Sequence, residues 1–107
     1  MLTEATVFGA PRRLYLLNAN SLIKDSAMEQ LRDDLLYHQV DVAVITETHL
    51  NSRHTSESFA IEGYDLLRRD RGRRDSGGVA VYAAHQVLLE LKPSTFIIYL
   101  RLLIFHT

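Results

Sequence analysis

The sequence contains no cysteine, which excludes disulfide frameworks and thiolate-ligated metal sites and permits a reducing compartment. It also lacks an excess of charge of either sign, because twelve Lys and Arg residues stand against thirteen Asp and Glu residues, for a formal net charge of -1. The molecule as a whole therefore does not attract a polyanionic partner. Any nucleic-acid binding must come from a local basic patch.

Several familiar motifs are also missing. The five histidines do not have zinc-ligand spacing, and H-E-x-x-H does not occur. No glycine-rich phosphate loop follows the first strand-like run, which disfavours a nucleotide-binding α/β module. The start of the chain has no apolar signal-peptide stretch, and the apolar residues 93–107 are shorter than the ~20 residues of a membrane span and contain Arg101. We therefore expect an intracellular protein that does not engage a membrane.

The residues that are present are typical of one small globular domain. The chain has 107 residues, of which 47% are hydrophobic and 23% are charged, and these values indicate neither a disordered nor a fibrous protein. A complete domain of this size buries about two thirds of the surface of its unfolded chain.

Residues 41–50 (DVAVITETHL) combine a strand pattern with a carboxylate at its end. Five of the first six residues suit a strand covered on both faces, and Glu47 follows where that strand should end. The carboxyl ends of parallel strands are where α/β sheets place their chemistry. Glu47 is therefore a candidate active-site acid, and His49, on the same predicted edge, is a candidate substrate-binding residue.

A second strand-like run lies upstream, at residues 14–17 (LYLL), and it ends at two short polar side chains. Asn18 and Asn20 can hydrogen-bond an anionic ligand or orient a water molecule. They are the second set of candidate site residues.

The residues between these two runs predict a helix. Ser26 and Glu29 match a capping box at its start, and an apolar face follows at Met28, Leu31 and Leu35. Strand, helix and strand within roughly 35 residues make a βαβ unit, whose two strands are parallel. We therefore expect the polar residues that end the two strands to lie at the same edge of one sheet.

The second half of the chain predicts more sheet. Residues 51–59 are polar and indicate a loop or one short helix, and residues 64–67 are a short strand candidate. Residues 68–78 (RRDRGRRDSGG) are typical of a charged hairpin turn or a long connection, with glycines for positive φ. Residues 78–83 (GVAVYA) predict a buried strand, and residues 87–91 are a candidate for the next one.

Arginines are concentrated in that charged turn. Five of the twelve basic residues lie within the seven positions 68–74. One interpretation is a solvated hairpin that protects an exposed sheet edge from aggregation. The other is a loop that contacts phosphates, because guanidinium groups bind phosphates in bidentate fashion. In the second interpretation the substrate-binding candidates are Arg69, Arg71 and Arg73.

Four short blocks resemble, in order and spacing, the successive motifs of the endonuclease/exonuclease/phosphatase superfamily. The likeness is strongest to the apurinic-endonuclease-like domain of LINE-type non-LTR retrotransposons, and it covers residues 14–91. The blocks are residues 17–22 (LNANSL), 45–50 (ITETHL), 63–71 (GYDLLRRDR) and 77–82 (GGVAVY).

This resemblance implies an α/β (α+β) fold that is part of a four-layer αββα sandwich of the DNase-I-like type, with a metal-dependent phosphodiesterase site at one end. The family's Asn after the first strand and Glu after the second correspond to Asn18 and Glu47, which would be the catalytic residues and the ligands of Mg²⁺ or Mn²⁺. Asn20 matches a second polar position and would contact substrate. The implied partner is DNA, bound through its phosphate backbone, and a nuclear location agrees with that partner.

Downstream of these blocks the sequence departs from the family. Family members run to more than twice the length of the match and carry a catalytic Tyr, an Asp-x-Asn pair and a Ser-Asp-His ending, and neither of the last two occurs here. We expect residues 1–12 to be an N-terminal extension, residues 13–92 to be the N-terminal portion of the domain, and residues 93–107 to be a divergent apolar tail. We also expect this retrotransposon-derived fragment to be inactive alone.

Two other functions remain open. A phosphoinositide phosphatase or a phospholipase of the same superfamily is one, although the ETHL block and the arginines favour nucleic acid. A catalytically dead interaction or structural remnant is the other, and the missing motifs favour it.

Overall fold

One mixed sheet organises the chain in the computed structural model, which describes residues 1–7, 10–71 and 77–90. The elements are β1 (Leu2–Val7), β2 (Ala10–Asn18), α1 (Ala27–Tyr37), β3 (Val42–Thr46), a 3-10 helix (Ser56–Phe59), β4 (Tyr64–Arg69), β5 (Val79–Ala84) and α2 (His85–Glu90). The order across the sheet is β1-β2-β3-β5-β4. Within the described ranges, neither helix has the length and apolar character needed to cross a membrane.

The strand directions bring several strand ends together. β2 and β3 are adjacent and parallel, as the βαβ pattern predicts. β5 pairs antiparallel with β3 on one side and with β4 on the other. The carboxyl ends of β2, β3 and β4 therefore lie at the same end of the sheet as the start of β5. This is the end at which α/β sheets bind their ligands.

The main core lies between the sheet and α1. Leu31 and Leu35 are buried, and Met28 packs against the same cluster, so the predicted apolar helix face is confirmed. Leu22 and Leu50 are also buried in this core. These two leucines close the LNANSL and ITETHL blocks, and their burial anchors the loops that follow β2 and β3.

A smaller core lies on the opposite face of the sheet, beneath α2. Residues 85–90 are helical, so the predicted strand at residues 87–91 is wrong for the positions that the structure describes. Periodicity alone does not tell a short apolar run in a strand from one in a helix. Here the helical turn buries Val87 against the sheet and leaves Leu89 87% exposed.

Helix α1 begins after Ser26, as predicted, but the predicted capping box is wrong. Ser26 has a φ of 66° and its side chain makes no capping hydrogen bond. A capping side chain reaches the free amides of the first turn from an extended backbone, and the left-handed conformation of Ser26 does not allow this.

The N-terminal residues belong to the sheet. β1 pairs antiparallel with β2, from Leu2 opposite Tyr15 to Val7 opposite Ala10. The segment interpreted as an extension therefore supplies an edge strand. Its sequence, LTEATV, contains no apolar run, because an edge strand is held by backbone pairing and needs little side-chain burial. The interpreted tail, residues 93–107, lies outside the described residues.

Candidate active site at the end of the sheet

The last row of the sheet brings four strands together at the predicted edge. Asn18 of β2 is in register with Thr46 of β3, Thr46 with Val79 of β5, and Val79 with Arg69 of β4. Directly opposed residues in neighbouring strands place their side chains on the same face of a sheet. The preceding row on this face includes Val44 and belongs to the smaller core. The site therefore lies at the end of that core, on the face opposite α1.

A cleft of ≈ 260 Å³ opens at this end and contains charges of both signs. Two carboxylates, Glu47 and Asp70, and two guanidinium side chains, Arg69 and Arg71, line it. The other lining residues are Thr46, Gly77, Gly78 and Val79. The structure thus brings together the predicted acid and two of the three predicted arginines.

Glu47 follows β3 in a left-handed backbone conformation, with a φ of 52°. Its side chain is 42% exposed. The oxygen Oε2 accepts a hydrogen bond from the backbone amide of Gly77 at 3.0 Å and contacts Nε2 of His49 at 3.2 Å. Both contacts use the same oxygen, so Oε1 is directed to neither of them and can bind a cation or a phosphate-bound water.

Asn18 ends β2, and Asn20 lies in the loop whose main chain runs beside that of Glu47. The amide of Ala19 donates to Thr46 O at 2.9 Å and that of Ser21 to Glu47 O at 2.8 Å, so the main chain after β2 runs along the main chain after β3. The side chain of Asn18 accepts a hydrogen bond from the amide of Asn20 at 3.1 Å. Neither asparagine lines the 260 Å³ cleft. Asn18 instead borders a neighbouring hollow next to the start of α1.

His49 contacts Glu47, which the sequence pattern did not predict. Its side chain is only 18% exposed, and its Nε2 lies 3.2 Å from Oε2 of Glu47. Nε2 of the imidazole donates to this carboxylate in the tautomer that carries its proton there. His49 is therefore placed to orient the candidate acid, and a direct contact with substrate stays a prediction.

The neighbouring arginines have different environments. β4 and β5 form the expected hairpin, and β4 is an edge strand, as the solvated-hairpin interpretation requires. Arg68 is engaged by Asp70 and by the loop after β3, with Nη2 2.7 Å from the Asp70 carboxylate and Nη1 2.6 Å from His54 O. Arg69 and Arg71 are exposed and line the cleft. Arg73 lies outside the described residues.

The donor set at this site suits a hard cation that needs few protein ligands. Among the residues that the structure describes, no group of three or more His, Cys, Asp or Glu side chains is arranged to hold a metal ion. Mg²⁺ retains several waters and takes phosphate oxygens from its substrate, so one or two carboxylates are enough. Glu47, with Oε1 directed away from its two hydrogen-bonding partners, fits that requirement.

Two residues contribute to the site in ways that the sequence pattern does not predict. Thr48 is fully buried between Glu47 and His49, and Gly77 supplies the amide that binds Glu47. The glycines at 77 and 78 do indicate positive φ. Their partner, however, lies 30 residues upstream and becomes visible only once β3 and β5 are paired.

Comparison with known proteins gives matches at the level of structure. AP endonuclease LMAP from Leishmania major has a TM-score of 0.55 and 20% identity, and the match covers 66% of this chain and 23% of that one. An AP endonuclease from Archaeoglobus fulgidus has a TM-score of 0.53 and 24% identity, with 65% and 26% covered. The chain resembles these AP endonucleases in fold. No protein-family model matches it, and no curated protein does.

These matches confirm the predicted fold class, a mixed α/β sheet that is part of a DNase-I-like sandwich. The chain spans about a quarter of the length of the two solved structures.

Proposed function

We propose that this chain is the N-terminal portion of a magnesium-dependent endonuclease domain that acts on the phosphodiester backbone of DNA. The observation that supports this most directly is the placement of Glu47 in one cleft with Arg69 and Arg71. That cleft lies at the carboxyl end of a sheet whose fold resembles that of AP endonucleases.

In this proposal Glu47 holds Mg²⁺ or Mn²⁺ through Oε1, and Asn18 helps to orient the cation and the scissile phosphate. A divalent cation bound there would stabilise negative charge on the phosphorane and on the leaving oxygen. His49 contacts the carboxylate, and Asn20, in the loop after β2, is a candidate contact to substrate. The chemistry also requires an oriented water and a route for its proton, and neither Asn18 nor Glu47 is assigned to these tasks.

Arg69 and Arg71 supply the contacts to DNA phosphates, with Arg73 as a further candidate. A guanidinium group can bind two phosphate oxygens at once. Arg69 and Arg71 line the same cleft as the Glu47 carboxylate. An anionic substrate would therefore be attracted to the arginines and would complete the coordination of the cation at Glu47.

We further propose that the reading frame derives from a LINE-type retrotransposon and that the 107-residue chain is inactive alone. The order of the LNANSL, ITETHL, GYDLLRRDR and GGVAVY blocks supports the origin. The sequence contains neither Asp-x-Asn nor Ser-Asp-His, which supports the inactivity.

The first test is the binding of fluorescently labelled double-stranded DNA over a series of salt concentrations. Replacing both Arg69 and Arg71 with alanine should lower the salt-dependence slope by about 0.9 for each phosphate that the protein no longer neutralises. Arg53→Ala is the control, because this exposed arginine does not line the cleft, and its replacement removes one positive charge where the double variant removes two. Equal slopes for all three proteins would contradict phosphate binding in the cleft. Tighter binding to phosphoinositide vesicles than to DNA would instead support the phosphatase alternative.

The second test is catalysis. We expect the 107-residue chain to show no magnesium-dependent nicking of supercoiled DNA above a heat-treated control. In a longer protein that carries a complete second half, Glu47→Ala should lower the nicking rate by about two or more powers of ten. Nicking by the isolated chain that EDTA stops and Glu47→Ala abolishes would show that the inactivity proposal is wrong.

A further inference from the structure

The carboxylate of Glu47 is held from two directions. Its Oε2 accepts the backbone amide of Gly77 at 3.0 Å and contacts Nε2 of His49 at 3.2 Å. One partner directly precedes β5 and the other lies in the loop after β3. The two hydrogen bonds to one oxygen fix the plane of the carboxylate and direct Oε1 away from both partners.

The backbone around Glu47 is strained and needs support from its surroundings. Glu47 and His49 have φ values of 52° and 59°, a conformation that non-glycine residues rarely adopt. Thr48 lies between them and is fully buried. The amide of Thr48 donates to Gly78 O at 3.3 Å, and that of His49 donates to Gly77 O at 2.8 Å. Residues 77–78 thus hold this left-handed turn in place through their carbonyl groups.

Only glycine fits at position 78. Gly78 has a φ of 90°, and a Cβ atom there would lie 2.5 Å from Oγ1 of Thr48. A Cβ at Gly77 would meet the side chain of Arg71, which is flexible and can move. Gly63 also has a φ of 89°, but nothing lies within 4 Å of its Cβ position. The close approach of Gly78 to Thr48 is therefore specific to the turn that carries Glu47.

We propose that residues 77–78, together with Thr48 and His49, are positioning groups that hold Glu47 in its metal-binding orientation. This inference rests on the proposed function, in which Glu47 is the metal ligand. Outer contacts of this kind set the orientation of a ligand, and their removal weakens metal binding even though they do not touch the metal.

The contact itself is tested without metal, by NMR of the 107-residue chain. In the parent protein the carboxylate of Glu47 should shift the amide proton of Gly77 downfield. Glu47→Gln should move that resonance upfield and leave the amide of Gly63 unchanged. An unmoved Gly77 resonance would overturn the proposal whatever the metal does.

The effect on the cation is tested by titrating Mn²⁺ and following paramagnetic broadening of amides near Glu47. Gly78→Ala should weaken Mn²⁺ binding about tenfold, whereas Gly63→Ala, which adds the same methyl group at a similar φ, should not. Equal affinity of the two glycine variants would overturn the proposal.

His49 provides a second, independent pair of variants if Gly78→Ala does not fold. His49→Ala should weaken Mn²⁺ binding, and His49→Gln, whose amide can still donate to Glu47, should bind more tightly than His49→Ala. Equal affinities for the parent protein and both variants would refute the role of His49. Broadening that is absent in the parent protein, with the Gly77 shift present, would refute the metal site and confirm the Gly77 contact.

Discussion

Arg68 offers a direct test of how the arginine cluster divides between stability and binding. Its guanidinium makes five hydrogen bonds, to both carboxylate oxygens of Asp70, to the carbonyls of Asn51 and His54, and to the hydroxyl of Ser56. The side chain is only 13% exposed. We expect Arg68→Ala to destabilise the chain because these acceptors lose their shared donor.

The size of the effect can be worked out from the geometry. Four of the five hydrogen bonds are 3.1 Å or shorter, and two of them join a half-buried ion pair. Removing one member of a buried pair costs about 3–5 kcal/mol, and water can reach part of this network. We therefore expect Arg68→Ala to lower the free energy of unfolding by about 2–3 kcal/mol. Arg68→Lys should recover less than half, because an ammonium group cannot make the paired contact.

The assay is urea unfolding followed by far-ultraviolet circular dichroism, with linear extrapolation to water. Arg53→Ala is the control, since this exposed arginine contributes only its backbone amide to the same loop, and its replacement should change stability by about 0.5 kcal/mol or less. If Arg68→Ala matched Arg53→Ala, the hydrogen-bond network would not be stabilising. Arg68 would then become a further candidate for phosphate contact.

Two further predictions concern the core. Leu35→Ala should lower the free energy of unfolding by about 2–5 kcal/mol, because Leu35 is fully buried, whereas Leu36→Ala at a 79% exposed site should cost about 0.5 kcal/mol or less in the same urea assay. Burial raises the pKa of Tyr82 to about 12, so as the pH rises the phenol loses its proton in the unfolded chain before it does in the folded chain. The contribution of this group to the free energy of unfolding is therefore complete below pH 10 and should fall as the pH rises towards 12. Urea unfolding at several alkaline pH values should therefore show a shallower decline for Tyr82→Phe and an unchanged one for the exposed control Tyr37→Phe, and an unchanged decline in both would contradict the assignment.

The parts of the fold that could be predicted are those in which local pattern and tertiary burial agree. β3 and β5 are apolar runs that are mostly covered in the sheet, and α1 has one apolar face that packs on it. β1 lacked this signal because an edge strand is held by backbone pairing. α2 was misread because three successive apolar residues fit a strand as well as a helix. Tertiary contacts decide both cases.

The site divides in the same way. The ends of parallel strands meet at one edge of a sheet, so the proximity of Asn18 and Glu47 along the backbone follows from the βαβ pattern. The contact of His49 with Glu47 depends on a left-handed turn, which no propensity indicates at Glu47. The amide of Gly77 comes from the residues before β5, 30 positions away in the sequence. These contacts exist only after the sheet has formed.

Strand alternation explains why adjacent arginines have separate tasks. Along β4, Leu66 packs against the core beneath α1 and Leu67 against the core on the opposite face. Two residues further along, the same alternation gives Arg68 the face of Leu66 and Arg69 the face of Leu67. Arg68 therefore meets the loop after β3, whereas Arg69 joins the row of Thr46 and lines the cleft. A one-residue shift in the register of β4 would exchange the two, so the β4–β5 pairing determines which arginine can reach a phosphate.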